Sequence, residues 1–169
     1  LAHLVRESQS RIWTMALIHQ TLYQSGDMAA IDMADYIHTL VGNLLSSQAR
    51  VAMPPSCRYD MEPLRLPIDQ AIPLALIVNE LLTNALKHAF PDGRPGEIRI
   101  SLRRLPLPEA GQCELAVADD GVGLPADFDP GGQKHLGLLL IAMLAKQIRG
   151  TLACEQDNGG WNVRVLQEW

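Results

Sequence analysis

Three segments of the sequence carry residue types whose spacing could support chemistry, and the first is a polar row on an otherwise apolar helix. Glu80, Asn84 and His88 recur at steps of four, so an α-helix places them on one face, with Lys87 beside them. The amide oxygen of Asn84 is a neutral ligand that suits Mg²⁺ when phosphate oxygens fill its other positions. Glu80 could orient or deprotonate a nucleophile, and the basic side chains could meet phosphate. A solvent-facing stripe is the alternative, and it explains any one of these residues more easily than all four.

The other two segments are rich in glycine. Asp119 ends an apolar strand and could accept a hydrogen bond from an exocyclic amine such as that of adenine, while Gly121 and Gly123 let the backbone approach a flat ligand closely. The stretch from Gly131 to Leu138 runs into a helix, whose first N–H groups can bind an anion and whose glycines suit a movable cover. Each segment alone is a common turn. The order and separation of all three are far more specific.

The elements that must position these segments predict an α+β fold, a mostly antiparallel sheet with helices on one face. Residues 1–24 form a helix whose seam at Leu1, Val5, Ser8, Ile12, Met15, His19 and Leu22 needs a partner helix, and Arg11 lies on its solvated face. A second helix covers about Ile31 to Ser47, with Asp32 as a possible N-cap. Proline-rich residues 48–67 supply one or two short edge strands within Cys57 to Leu66.

The remaining elements follow from apolar runs and alternation. A long helix from Asp69 to about Phe90 tolerates Pro73 only in its first turn. Alternation predicts strands at Ile98 to Leu102 and Cys113 to Val117. Then come a helix from Leu136 to Arg149 that ends at Gly150, and a hairpin of Thr151 to Glu155 with Trp161 to Leu166.

Composition excludes several classes of protein. Lys and Arg number 14 and Asp and Glu 19 in 169 residues, a net charge of −5 that argues against a general nucleic-acid binder. Cys57, Cys113 and Cys154 form no zinc set, so we expect reduced, buried thiols in a cytoplasmic protein. The longest apolar run is about half a membrane span. Because the sequence starts at Leu1 rather than Met, we expect a piece of something longer.

The three segments resemble the N, G1 and G2 boxes of the ATP-binding domain shared by sensor histidine kinases, gyrase-type topoisomerases, Hsp90 and MutL proteins. The stretch from Ser10 to Tyr23 is similar to the end of the dimerisation region in one histidine kinase subfamily, and the stretch from Pro67 to Pro73 is typical of it. The resemblance implies the Bergerat fold, a two-layer α/β sandwich, over residues 48–169. It also implies that residues 1–47 are the end of the dimerisation region and its linker.

Carried over by position, the resemblance implies that Asn84 is the Mg²⁺ ligand and Glu80 the general base or orienting carboxylate. Lys87 and His88 become phosphate-side residues, and Asp119 reads adenine. Pocket-floor and phosphate-side positions complete the implied ATP site: Gly121, Gly123, Lys134, Leu136, Gly137 and Leu138. His135 stands where many relatives have a glycine, and the lid, roughly Pro125 to His135, is too short for the topoisomerase and Hsp90 branches.

The implied function is that of a cytoplasmic sensor histidine kinase, dimeric at full length, which uses Mg²⁺-ATP and serves a response regulator. His3 lacks the acidic, Arg- and Asn-rich surroundings of an acceptor, so we expect the acceptor histidine outside this chain. We expect no contact with nucleic acid or membrane. The alternatives are an anti-sigma-factor-type serine kinase or binding module, which the helical seam disfavours, and a non-catalytic nucleotide-binding scaffold, which intact Glu80 and Asn84 disfavour.

Overall fold

The structure, a computed structural model, describes residues 9, 11–18, 20, 30–47, 54–105, 112–123, 136–157 and 160–168. Residues 11–18 are helical and are named α1 here. The other α-helices are α2 (Met33–Ser47), α3 (Ile68–Asn84) and α4 (Leu136–Gln147). The strands are β1 (Ala30–Asp32), β2 (Ser56–Met61), β3 (Arg65–Pro67), β4 (Glu97–Leu105), β5 (Gln112–Asp119), β6 (Thr151–Asp157) and β7 (Gly160–Glu168).

Five of these strands form one sheet in the order β2-β4-β5-β7-β6. Only the pairing of β2 with β4 is parallel, and the other three pairings are antiparallel. Helix α3 packs against β5, α4 packs against β6, and the two helices contact each other. The predicted α+β fold with a mostly antiparallel sheet is therefore confirmed.

Alternation along the central strands determines which face of the sheet is covered. Ile98, Ile100 and Leu102 of β4 are buried, whereas Arg99, which lies between the first two, and Arg103, which follows the third, are exposed. Strand β5 repeats this pattern with Cys113, Leu115 and Val117. These inward residues join the apolar side chains of α3 and α4 in one core, as the alternating sequence predicts.

A second, two-stranded sheet was not predicted. Strand β1 pairs antiparallel with β3, so that Ile31 lies opposite Leu66 and both side chains are buried. The sequence places Ile31 in a helix, but α2 begins two residues later at Met33. Asp32 is the N-cap as predicted, because its Oδ1 accepts hydrogen bonds from the backbone N–H groups of Ala34 (3.0 Å) and Asp35 (3.3 Å).

Two details of the helices differ from the prediction. Helix α3 begins at Ile68, which makes Pro73 its sixth residue, so the proline lies beyond the first turn. Its ring is buried, and we infer that this packing offsets the lost hydrogen bond to the preceding turn. At the end of α4 the left-handed residue is Arg149 (φ 54°) rather than Gly150. Gly150 is needed for closeness, since an added β-carbon would lie 2.9 Å from the carbonyl oxygen of Leu166.

The cysteines are free, as predicted, but their burial differs from the prediction. Cys113 is buried, and burial raises the pKa of its thiol to about 12. Cys57 is half-buried and Cys154 is exposed, so the expectation of three buried thiols is wrong. Both belong to the outer strands of the sheet, β2 and β6, which among the described residues pair with a neighbouring strand on one side only.

Helix α1 packs on the body formed by the sheet and the other helices through three buried residues, Thr14, Leu17 and Ile18. The hydroxyl of Tyr36 on α2 donates a hydrogen bond to the carbonyl oxygen of Thr14 (3.2 Å). Ile12 and Met15 of the predicted seam are 67% and 47% exposed. The other five seam residues lie outside the described part of the chain, in which no helix is long and apolar enough to cross a membrane.

Candidate active site

The end of α3 and the start of α4 bring three predicted site residues together. Glu80 is buried and Asn84, one turn later, is half-buried. A β-carbon added at Gly137 would lie 3.1 Å from Glu80 Oε2 and 3.9 Å from Asn84 Oδ1. The backbone of the first turn of α4, whose N–H groups have no partner within the helix, therefore lies against the carboxylate and the amide.

The polar row does not continue at α-helical spacing beyond Asn84. Residues Ala85–Ala89 form a π-helical turn, whose hydrogen bonds span five residues instead of four. The wider turn shifts the following residues from their α-helical positions, and the predicted place of His88 on the face of Glu80 and Asn84 stays a prediction. Lys87 is half-buried and His88 is exposed.

Asp119 is the last residue of β5 and is 8% exposed. Its Oδ1 accepts hydrogen bonds from the backbone N–H groups of Gly121 (3.0 Å) and Trp161 (3.4 Å). Burial raises the pKa of Asp119, and these two donors partly offset that rise. Within the described residues all hydrogen bonds to this carboxylate go to Oδ1, so that Oδ2 is the oxygen left for a ligand.

The neighbouring Asp120 has a different task. It is exposed, and its Oδ1 accepts the backbone N–H of Glu97 (2.7 Å), which ties the end of β5 to the start of β4. The structure thus distinguishes the two adjacent carboxylates: Asp119 is oriented at the inner face, and Asp120 links the end of β5 to the start of β4.

The glycines after Asp119 lie where β5 meets the end of the π-helical turn that follows α3. A β-carbon added at Gly121 would lie 2.4 Å from the carbonyl oxygen of Ala89, and the N–H of Val122 donates to that oxygen (3.0 Å). Gly123 has a φ of 69°, a left-handed conformation that favours glycine. These contacts explain both glycines structurally, and their place in a pocket floor stays a prediction.

Two predicted positions of the last box, Leu136 and Leu138, lie in the first turn of α4. Leu138 is buried in the core, so any contact with a ligand would come from its backbone N–H in the first turn of α4. Leu136 begins that helix. The whole predicted lid, with Lys134 and His135, lies outside the described residues.

Arg11 is a neighbour of the site that sequence reasoning missed. Its Nε donates to Glu80 Oε1 (2.8 Å) and its Nη2 donates to Glu80 Oε2 (3.0 Å). The prediction that Arg11 lies on a solvated face is therefore wrong, because its side chain is 25% exposed and Glu80 only 7%. No local pattern indicates a contact between residues 69 positions apart.

Gly160 is a second missed neighbour. A β-carbon there would lie 1.8 Å from the carbonyl oxygen of Asp119, so the hairpin backbone passes directly against the end of β5. The sequence Asn158-Gly159-Gly160 indicates a hairpin turn and gives no sign of this approach.

A magnesium ion held mainly by phosphate oxygens needs few protein ligands, and a single amide oxygen can be one of them. Among the described residues, no group of three or more His, Cys, Asp and Glu side chains could hold a metal. The half-buried amide of Asn84 supplies one neutral oxygen beside the first turn of α4, where an anion is favoured.

Comparison with known proteins agrees with this geometry. Residues 69–167 match the family of histidine kinase-, DNA gyrase B- and HSP90-like ATPases. The chain belongs to this family. Residues 1–48 match a second family model, described as histidine kinase. The predicted recognition of a sensor histidine kinase catalytic domain is thereby confirmed.

The relatives of this ATPase domain include sensor histidine kinases. Blue-light-activated histidine kinase 2 of Erythrobacter litoralis is 26% identical over 159 residues, which are 92% of this chain and 44% of that protein. Sensor histidine kinase PdtaS of Mycobacterium tuberculosis is 28% identical over 148 residues, 86% of this chain and 28% of that protein. The chain thus spans less than half the length of these relatives.

Solved structures show the same fold. The histidine kinase domain of the Erythrobacter litoralis EL346 blue-light-activated histidine kinase superposes with a TM-score of 0.81 at 24% identity, covering 95% of this chain and 74% of that one. A second structure, of the Erythrobacter litoralis EL346 blue-light activated histidine kinase, superposes with a TM-score of 0.74 at 24% identity, covering 93% of this chain and 46% of that one.

Proposed function

We propose that this ATPase domain binds Mg²⁺-ATP and belongs to a protein-histidine kinase that transfers the γ-phosphate to a histidine outside this chain. A response regulator receives the phosphate afterwards. The observation that carries the proposal is Asp119, a buried carboxylate with one oxygen fixed by two backbone donors and the other left for an adenine amine.

Each group near the end of α3 has a role in this proposal. Asn84 holds Mg²⁺, which supplies neutralising charge at the phosphates when bound, and Glu80 accepts the proton of the nucleophile or orients it. Lys87 and His88 meet phosphate oxygens, and the first turn of α4, at Gly137, offers its backbone N–H groups to the same anion. Lys134 is assigned to the phosphates by resemblance alone.

The rest of the assignment concerns the whole protein. We propose residues 1–47 as the end of a dimerisation region and 48–169 as the ATP-binding domain of a cytoplasmic kinase. The exposed seam residues Ile12 and Met15 support dimerisation at full length. The matched relatives are sensor histidine kinases, and they lend no support to the serine-kinase or scaffold alternatives.

Nucleotide titration tests the binding half of the proposal. ATP should bind at least about 100-fold more tightly than GTP, because a carboxylate accepts a hydrogen bond from the 6-amino group of adenine and repels the 6-oxo group of guanine. Calorimetric titration of both nucleotides with Mg²⁺ measures the ratio, and equal affinities would refute the role of Asp119.

Incubation with γ-labelled ATP tests the position of the acceptor. Acid-labile label on this chain that is lost in His3→Gln would place the acceptor at His3.

A further inference from the structure

A two-pronged ion pair between Arg11 and Glu80, called the fork here, joins helix α1 to the proposed base. Two different guanidinium nitrogens donate to the two different carboxylate oxygens, at 2.8 and 3.0 Å. This side-on geometry is the strongest form of ion pair between these side chains, and it fixes the orientation of both. The pair is also largely removed from water, with Glu80 7% exposed.

In this arrangement the side chain of Glu80 is 7% exposed, which leaves little room for a nucleophile beside its carboxylate. A general base must come within about 2.6–3.2 Å of the group whose proton it takes. Here Arg11 covers one side of the carboxylate, and the backbone of Gly137 lies so close to Oε2 on another that an added β-carbon would be 3.1 Å away. A histidine side chain from outside the chain therefore needs one of these neighbours to move.

Arg11 is the neighbour that a helix movement would remove. Helix α1 is anchored to the body by the buried side chains of Leu17 and Ile18 and by the hydrogen bond from Tyr36 to the Thr14 carbonyl oxygen. Gly137, by contrast, belongs to α4, which packs on α3 within the core. Any change that lifts or turns α1 separates Arg11 from Glu80 and leaves the rest of the site in place.

We propose that Arg11 is a positioning residue that withholds Glu80 from the nucleophile while α1 is docked, and that phosphoryl transfer requires this fork to open. The proposal rests on the proposed function, because it takes Glu80 as the general base. Under this assignment Arg11 acts only on the chemical step and leaves the adenine pocket at Asp119 untouched.

The test uses the complete kinase that contains this chain, with initial autophosphorylation rates at saturating Mg²⁺-ATP. Arg11→Gln should raise kcat about 3- to 10-fold, the worth of one partly buried ion pair, and leave the KM for ATP within twofold. Arg11→Lys keeps the charge without the fork and should give an intermediate rise. Arg99→Gln, at an exposed strand position, is the matched control and should leave both constants unchanged.

The direction of the change in kcat separates the proposed role of Arg11 from a merely structural one. Loss of packing around Arg11 would lower kcat, so a merely structural role would not produce a rise. Should Arg11→Gln fail to fold, Tyr36→Phe decides, because it loosens α1 without touching Glu80 and should also raise kcat. An unchanged or lowered kcat in the folded variant would overturn the proposal.

Failure of the underlying function looks different. If Glu80→Gln transfers phosphate at the full rate, Glu80 is not the base and the proposed function fails at that residue. If Glu80→Gln is inactive and the double variant Arg11→Gln with Glu80→Gln is equally inactive, the gain in Arg11→Gln passes through Glu80, as proposed.

Discussion

Replacing Asp119 with asparagine should change which nucleotide the domain prefers. In the structure Oδ1 is held by the backbone N–H groups of Gly121 and Trp161, so an asparagine keeps its carbonyl oxygen at that place. Its NH₂ group then occupies the position of Oδ2, where Asp119 is proposed to accept from adenine. The variant thus presents a donor where the natural protein presents an acceptor.

The size of the effect follows from burial. Asp119 is 8% exposed, so a donor facing the 6-amino group of adenine has little water to compensate it. Loss of a hydrogen bond to a charged acceptor costs about 1.5–3 kcal/mol, which is roughly 10- to 150-fold in ATP affinity. A nucleotide with a 6-oxo group, such as ITP, should bind the variant more tightly than it binds the natural domain.

Calorimetric titration of ATP and ITP against both proteins measures the two ratios. Asp120→Asn is the matched control, because Asp120 is adjacent and exposed and can keep its bond to Glu97 as an asparagine. Thermal unfolding shows whether the variants remain folded. An ATP-to-ITP ratio that Asp119→Asn leaves unchanged would refute the assignment of Oδ2 to adenine, as would an equal shift in Asp120→Asn.

Three further predictions follow from the same geometry. Glu80→Gln should still bind Mg²⁺-ATP while phosphoryl transfer in the complete enzyme falls roughly 10²- to 10⁴-fold, whereas Asn84→Asp should disturb the Mg²⁺ site; calorimetry and transfer rates separate the two. Because burial raises the pKa of Asp119, protonation of this carboxylate stabilises the folded domain. Urea unfolding should therefore show that the stability of the natural protein, relative to Asp119→Asn, rises as the pH falls through that raised pKa toward 3.8. The affinity for ATP should fall over the same pH range. Gly42→Ala on the exposed side of α2 should raise the unfolding free energy by about 0.5–1 kcal/mol, since an added β-carbon has nothing within 4 Å; an unchanged melting temperature would contradict this.

Features of the fold that depend on local chemistry could be predicted from the sequence. The alternation of Ile98, Ile100 and Leu102 indicates one buried strand face, and Asp32 caps α2 through bonds to residues two and three positions away. Asp119 could be chosen over Asp120 because it ends an apolar strand. In each case the deciding contact lies within a few residues or follows from a period of two.

Features that depend on long-range packing were beyond that reasoning. The pairing of Ile31 with Leu66 takes a segment from an apparent helix start into a strand, because tertiary contacts outweigh local propensity. The π-helical turn at Ala85–Ala89 has no distinctive amino-acid composition, so it could be found only from the structure.

The sequence of helix α1 contains apolar residues that the predicted seam does not account for. The heptad positions Ile12 and Met15 account for one apolar face, yet Leu17 and Ile18 lie off that seam and are equally apolar. A second apolar face indicates a second partner, and in the structure Leu17 and Ile18 pack on the body formed by the sheet and the other helices. Arg11 lies at the end of this second face, which brings its side chain to Glu80. Helix α1 therefore exposes Ile12 and Met15 on one face while Arg11 contacts the proposed base, Glu80, from another.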